Sequence, residues 1–508
     1  MFKKLLIANR GEIAVRIMRT CRDMGIASVA VYSEADATAL HTRYADEAYC
    51  IGPAPAAESY LKMEKIIETA LACGAQAIHP GYGFLSERAD FGAACAEAGL
   101  AFVGPTPETL RRLGDKVEAR RIAEAAGVPS VPGSAGLVDP TEALVLAPQI
   151  GFPLLIKAAA GGGGKGIRLV EDASTLEESL RAAAHEARAS FGDGGLYLER
   201  YLDPVRHIEV QILADRSGEV VHLGERECSV QRRGQKVVEE SPSLAVDETL
   251  RQRLGAAAVA IAREAGYENA GTIEFLLDST GDFYFIEANA RLQVEHPVTE
   301  LVTGLDLVRE QLRIAAGELL GYTQADIHLR GWAIECRITA EDAENGFMPA
   351  LGVAHHVHEP SGPGVRVDSS LFDGHEIGPN YDSLLSKLIV YGSDREQALS
   401  CLRRALDEYQ VLGVKTTLPF HRRLVDDRAF IAGEIDTRFL DRNFPADTAA
   451  IEHGDHALAV AALLSHRRRS NGAGSTSTAT GATSRWRAAA REDAAHRAPG
   501  GGRWRSTS

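Results

Sequence analysis

In IEANARLQVE, residues 286–295, polar and apolar side chains alternate strictly. An extended chain would put Glu287, Asn289, Arg291, Gln293 and Glu295 on one face, roughly 6–7 Å apart. Ile286, Ala288, Ala290, Leu292 and Val294 would fall on the other. A solvated edge strand alternates too, but more often carries Thr, Ser and Lys on its wet face. The preceding stretch argues for chemistry. Residues 272–277, TIEFLL, run into a turn around Ser279-Thr280-Gly281-Asp282. A hairpin centred on Thr280-Gly281 pairs residues whose numbers sum to 561, and so sets Glu274 opposite Glu287. Facing like charges destabilise a ladder by about 1 kcal/mol in water, and by more in a drier site. A divalent cation between them removes the conflict. Carboxylate and amide oxygens suit Mg²⁺ or Mn²⁺, and Asn289 on the same face is a third candidate ligand. Replacing Glu274 or Glu287 by Gln is therefore expected to relieve repulsion in the metal-free protein. Farther along, Arg291 can grip a small oxyanion, and Glu295 beside it can take a proton.

A second signal is GGGGKG, residues 161–166, which includes Gly163 and Gly164. Glycines let backbone N–H groups approach phosphate oxygens closely. No Ser or Thr follows the lysine, and the flanks LLIK (154–157) and IRLV (167–170) are strand-like, so this is not a P-loop. It is a Gly-rich hairpin suited to act as a lid over a triphosphate. A flexible surface loop is the plainer alternative. Lys157 favours the lid, because an unpaired ammonium inside an apolar strand is costly. QRRGQK (231–236) adds cations and amides, and alternation over 333–338 places Glu335 and Arg337 on one face. A metal pair together with a phosphate lid indicates ATP.

The elements that must position these groups follow from periodicity. Residues 4–8, 27–32, 75–79 and 101–104 are strand-like, and 12–24 form an amphipathic helix. That rhythm predicts a parallel sheet with helices on both faces. Dinucleotide binding is the obvious rival, but the first turn is Asn9-Arg10-Gly11-Glu12, with no GxGxxG. Residues 115–132 are a helical connector, and 249–265 and 395–409 are further helices. Many short strands are expected between 197 and 390.

Bulk properties bound the function. The 508 residues allow about three domains. A net charge of −15 argues against nucleic acid or an anionic membrane as main partner. Seven cysteines without CxxC spacing point to reduced thiols in the cytoplasm. The apolar run near the start is too short for a signal segment or a membrane span. Residues 465–508 are rich in Ser, Thr, Ala, Gly and Arg without periodicity, and are expected to be disordered. Trp486 and Trp504 in that stretch suggest a reading-frame change near Ser465.

LLIANRGEIAVRI, AIHPGYGFLSE, GDKVEAR, IKAAAGGGGKGI, RHIEVQ, RECSVQRRGQKVVEE, FYFIEANARLQVEHPVTE and ECRITAED together resemble the biotin carboxylases, within the ATP-grasp enzymes, over residues 1–445. The resemblance implies an α/β fold in parts. These are a Rossmann-like parallel-sheet domain (1–115), a connector and mobile lid (116–203), and an ATP-grasp core with a mixed α+β C-terminal domain (204–446), followed by a tail (447–508). It implies Lys116, Lys157, Gly163, Gly164, Glu199, Leu202, His207 and Gln231 at the nucleotide, and Glu274, Glu287 and Asn289 at the metal. It implies Lys236, Arg291 and the Val294 backbone at bicarbonate, Glu295 as base, and Arg337 at the biotin ureido oxygen. ATP, magnesium or manganese, bicarbonate and biotin follow as ligands. A homodimer with carrier-protein and carboxyltransferase partners follows as assembly. No Ala-Met-Lys-Met occurs, so biotin is expected on another chain. Two departures stand out. Gly234 occupies a place where the family often has His, which predicts weaker nucleotide binding, and Ala160 replaces the first glycine of the lid run. The rivals are another ATP-grasp ligase, which HPGYGFLSE and EANARLQVEHPVTE oppose, and a non-catalytic scaffold, which the intact charged set opposes.

Overall fold

The computed structural model describes residues 1–134, 136–158, 167–191 and 195–445. Gly163, Gly164, the rest of the glycine run and the tail from 446 lie outside the described residues. So does the expectation of tail disorder.

The N-terminal part is the predicted parallel sheet. β1 (Lys4–Ile7), β2 (Ala27–Ser33), β3 (Glu47–Gly52), β4 (Ala77–His79) and β5 (Ala101–Phe102) run in the order β3-β2-β1-β4-β5. All pairs are parallel. α1 (Gly11–Asp23) buries Ile13, Ala14, Ile17 and Met18 beside Leu5 and Ile7 of the sheet. The connector is α2 (Lys116–Ala125), whose start is capped by the Asp115 carboxylate accepting from the Val117 and Glu118 amides. It packs Ala119 and Ile122 into the core beneath the site.

The Gly-rich hairpin is confirmed in its strands. β6 (Leu154–Ala158) pairs antiparallel with β7 (Ile167–Val170) on one side and β8 (Leu196–Arg200) on the other. α3 (Leu176–Phe191) covers this small sheet, burying Leu180 and Ala187 against Leu154 and Ile156.

Sequence periodicity foresaw short strands over 197–390, but not that they join. β9 (Val205–Ala214), β10 (Val220–Arg232), β11 (Gln235–Ser241), β12 (Asn269–Asp278), β13 (Phe283–Asn289), β14 (Trp332–Thr339), β15 (Val365–Ser369) and β16 (Leu384–Gly392) form one antiparallel sheet. Its order is β13-β12-β9-β10-β11-β14-β16-β15. α4 (Glu248–Ala265) covers one part through Leu254, Ala258 and Ile261. α5 (His296–Thr303) follows β13, and α6 (Arg395–Glu408) covers the far part through Leu399, Leu402 and Leu406. The centre of this sheet carries the charged residues of the site.

Candidate active site

β12 and β13 set Glu274 opposite Glu287, with Thr272 opposite Asn289. The turn is shifted from Thr280-Gly281: the Asp278 amide donates to the Asp282 carbonyl, so near the turn the facing numbers sum to 560 instead of 561. A bulge at Ile286 then adds the missing residue, since Phe275 faces Phe285 while Glu274 faces Glu287. The two deviations cancel, and the carboxylates meet as expected.

The extended face does not continue to residue 295. β13 ends at Asn289, residues 290–294 lie outside helix and strand, and Glu295 is the residue before α5. Pro297 in the first turn suits a helix start, so the chain must leave the sheet. Arg291, Gln293, Val294 and Glu295 still line the same cleft, of roughly 720 Å³. Turning, rather than alternation, brings them there.

At the acceptor end of the cleft the charges satisfy one another. Lys236 Nζ lies 2.5 Å from Glu209 Oε2, 2.5 Å from Glu295 Oε1 and 3.2 Å from Glu274 Oε1. Arg337 donates from Nε to Glu239 at 2.6 Å and from Nη2 to Glu295 Oε2 at 2.9 Å. Behind them Arg226, fully buried, bonds Glu209, Gln211, Thr272, Thr299 and Gln293. Burial pushes Glu295 up, but Lys236, Arg337 and Arg226 outweigh it and hold the carboxyl well below the usual range. Burial pushes Lys236 down, yet Glu209, Glu274 and Glu295 raise it well above an ordinary lysine.

The metal end is unequal. Glu274 is buried and accepts from Lys236, from Asn289 Nδ2 at 2.8 Å and from Gln293 Nε2 at 2.7 Å, with His207 Nε2 at 2.7 Å. Burial raises it, but Lys236 and His207 prevail and keep it ionised. Glu287 stands exposed in the cleft. Its surroundings raise its pKa, first by desolvation and then by the Glu274 charge. A hard cation between these oxygens fits that set, since its charge removes the conflict at Glu287. Asn289 Oδ1 accepts from Arg291 Nη2 at 2.8 Å, so this candidate ligand is shared with the guanidinium. Arg291 also pairs with Glu87 at 3.0 Å.

At the nucleotide end Lys116, Lys157, His207 and Gln231 line the cleft. Burial lowers Lys116, with the Glu287 charge opposing. Glu199 does not line the cleft; it holds Lys157, and Arg120 holds it in turn at 3.0 Å. Leu202, half-buried beyond β8, is not brought to the lining either. Gly234 lines the cleft in a two-residue turn, with φ +50° at Arg233 and +75° at Gly234. Arg232 pairs with Gln235 across it. Glycine suits this left-handed position better than His would, so the substitution eases the backbone while removing a side chain. Glu335 shares a strand face with Arg337 as expected, but is fully buried away from the lining.

Sequence reasoning missed Glu209 and Tyr82. Glu209 stands between His207 and Gln211 in an alternating HIEVQ stretch, which was the available signal. Tyr82 lines the cleft from a turn after β4, between Gly81 and Gly83, both at positive φ.

Residues 1–110 match the family described as "Biotin carboxylase, N-terminal domain", and 335–442 match "Biotin carboxylase C-terminal domain". Residues 115–323 match "Carbamoyl-phosphate synthase L chain, ATP binding domain". The chain belongs to the biotin carboxylase family. Its similarity to the biotin carboxylase of Nostoc sp. is 54% identity over 440 residues, 86% of this chain and 98% of that protein. A pyruvate carboxylase subunit from Methanothermobacter thermautotrophicus is 52% identical over 442 residues, 87% of this chain and 90% of that one. The biotin carboxylase domain of Hydrogenobacter thermophilus 2-oxoglutarate carboxylase superposes with a TM-score of 0.84 at 48% identity, covering 87% of this chain and 97% of that one. The fold is thus that of the ATP-grasp biotin carboxylases. No helix among the described residues is long and apolar enough to cross a membrane.

Proposed function

We propose that this chain uses ATP and bicarbonate to carboxylate biotin borne by a separate carrier protein, as the first half-reaction of an acyl-CoA carboxylase. The observation that carries this is Glu295 held between Lys236 and Arg337 within reach of the Glu274–Glu287 pair. Lys116 and Lys157 neutralise ATP phosphates, and His207 and Gln231 line the nucleotide cleft. Magnesium or manganese, held by Glu274, Glu287 and Asn289, supplies charge neutralisation for the triphosphate.

Glu295 as it stands is ionised but a weak base, because three cations hold its charge. Bicarbonate, an anion, binds against Lys236, Arg291 and the Val294 backbone, and drawing Lys236 away makes Glu295 more basic. Glu295 then takes the bicarbonate proton, and the bicarbonate oxygen attacks the γ-phosphorus of ATP as ADP leaves. The resulting carboxyphosphate breaks down to CO₂ and phosphate. Phosphate takes the biotin N1′ proton, and N1′ adds to CO₂ while Arg337 steadies the ureido oxygen. The Hydrogenobacter domain was crystallised as a dimer with MgADP and bicarbonate, which supports the ligand set and a homodimer. The free state of every cysteine agrees with the cytoplasm as location.

A second reading concerns the partners alone. Identity to a pyruvate carboxylase subunit is comparable to that with biotin carboxylases, so the carboxyltransferase partner acts on either an acyl-CoA or a 2-oxo acid. Bicarbonate-dependent ADP release, raised by free biotin, tests the reaction; independence from either substrate would refute it. Mass spectrometry of partners copurified with the full chain decides the acceptor.

A further inference from the structure

Lys387 lies on β16, between β14 and the edge strand β15 of the large sheet, and is fully buried. It stands opposite Arg337 of β14 and opposite Asp368 of β15. Cross-strand neighbours share a face, so its ammonium is on the side of Arg337. Nζ donates to the Val294 carbonyl at 2.9 Å, lies 3.3 Å from Glu12 Oε2 and 3.9 Å from Asp368 Oδ2. Glu12, in the first turn of α1, also accepts from the hydroxyl of Tyr82.

We propose that Lys387 is a positioning residue for the reaction: it anchors the peptide between Val294 and Glu295, and so sets where the base meets bicarbonate. This rests on the role given to Glu295 above. A trans peptide is planar, so holding the Val294 oxygen orients the plane that carries both Cα atoms. The chain there needs such an anchor. Residues 290–294 lie outside helix and strand, and the Glu295 side chain makes no capping bond to α5. A buried ammonium is stable only when paired. Glu12 supplies the near charge, while Asp368 is already held by Arg366 at 2.7 and 3.1 Å. One of the three ammonium donors is thus committed to the loop. The rival explanation is that Lys387 merely neutralises Glu12.

The full chain separates the two. Lys387→Met alone leaves Glu12 buried without its cation and is expected to unfold easily. The double variant Lys387→Met/Glu12→Gln removes both charges at nearly constant shape, and Asp368 keeps Arg366. Its melting temperature and its affinity for a non-hydrolysable ATP analogue should match the wild type, with an unchanged KM for ATP. Its kcat for bicarbonate-dependent ATP cleavage should fall about 10- to 100-fold, the size of effect that a misplaced reacting group produces. A kcat within about threefold of wild type would overturn the proposal, because neutralising Glu12 would then be the whole role. Failure of the double variant to fold would overturn it too, by making Lys387 a fold residue first. If the wild type itself shows no bicarbonate-dependent cleavage, the reaction assignment falls, and this inference with it.

Discussion

At the acceptor end of the cleft Lys236, Glu295, Arg337 and the buried Arg226 already satisfy one another, whereas at the metal and nucleotide end Glu287 faces open space. The first arrangement is pre-organised: its charges are fixed before substrate arrives, in a medium where each is strong. The second is completed by ligands. Substitutions at the acceptor end should therefore damage stability and activity together. Those at Glu287 and the nucleotide-lining residues should change ligand affinity and leave the fold alone.

The largest expected effect is at Arg226. Arg226→Met leaves Glu209 Oε1, Gln211 and Gln293 without their buried donor, and should cost about 3–5 kcal/mol of unfolding free energy in urea. A loss under about 1 kcal/mol would show that the acceptor end is not a single unit. Next is Glu295→Gln. It should lower kcat for bicarbonate-dependent ATP cleavage by about 100- to 10,000-fold. Calorimetric titration with a non-hydrolysable ATP analogue should show binding almost as in the wild type. A collapse of binding alongside activity would join the two ends into one.

Glu274 and Glu287 sharpen the contrast within a single ladder pair. Sequence arithmetic predicts that either Gln variant relieves repulsion, and the structure corrects half of this. Glu274 is the counter-charge of Lys236 and His207, so Glu274→Gln should destabilise the metal-free protein by about 2–3 kcal/mol. Glu287→Gln should leave the melting temperature in chelator unchanged or slightly higher. Both should raise the magnesium concentration needed for half-maximal activity. Equal losses of melting temperature would contradict the asymmetry.

The smallest effect is a pH dependence behind the acceptor end. Burial pushes Glu12 up to about 7 despite Lys387. The folded protein therefore binds this proton more tightly than the unfolded chain does. The charged form weakens the fold as pH rises from about 4.5 through about 7. Glu12→Gln leaves Lys387 without its near charge at every pH, but its deficit against wild type should shrink by roughly 1–2 kcal/mol between about pH 5.5 and pH 7. Parallel stability curves for the two proteins would remove Glu12 from the titrating set.

How legible the site was depended on range. The Gly-rich hairpin and the facing carboxylates are local: turn position and a period of two specify the pairing within a few residues. The Gly234 turn is local too, although its left-handed backbone only became visible in three dimensions. The bulge at Ile286 is invisible in the sequence, and the Glu274–Glu287 opposition holds because a shifted turn offsets it. The continuation of the polar face to Glu295 failed at Asn289, where the start of α5 overrode the alternation. Leu202 and Glu199 came from resemblance alone, and the cleft does not reach them directly.

By itself the sequence determined the residue types, the parallel N-terminal sheet, the strands flanking the Gly run and the Glu274–Glu287 opposition. Each follows from periodicity or from short-range sterics. Only the tertiary structure decided which charge neutralises which. Lys236 reaches Glu209, Glu274 and Glu295 from another strand, Arg337 reaches Glu295 across the sheet, and Lys387 meets a carbonyl 93 positions away in the chain. Several cations compete for the same carboxylates, and their order along the chain does not rank them. Distance and burial do, because the strength of each pairing falls with separation and rises as water is excluded.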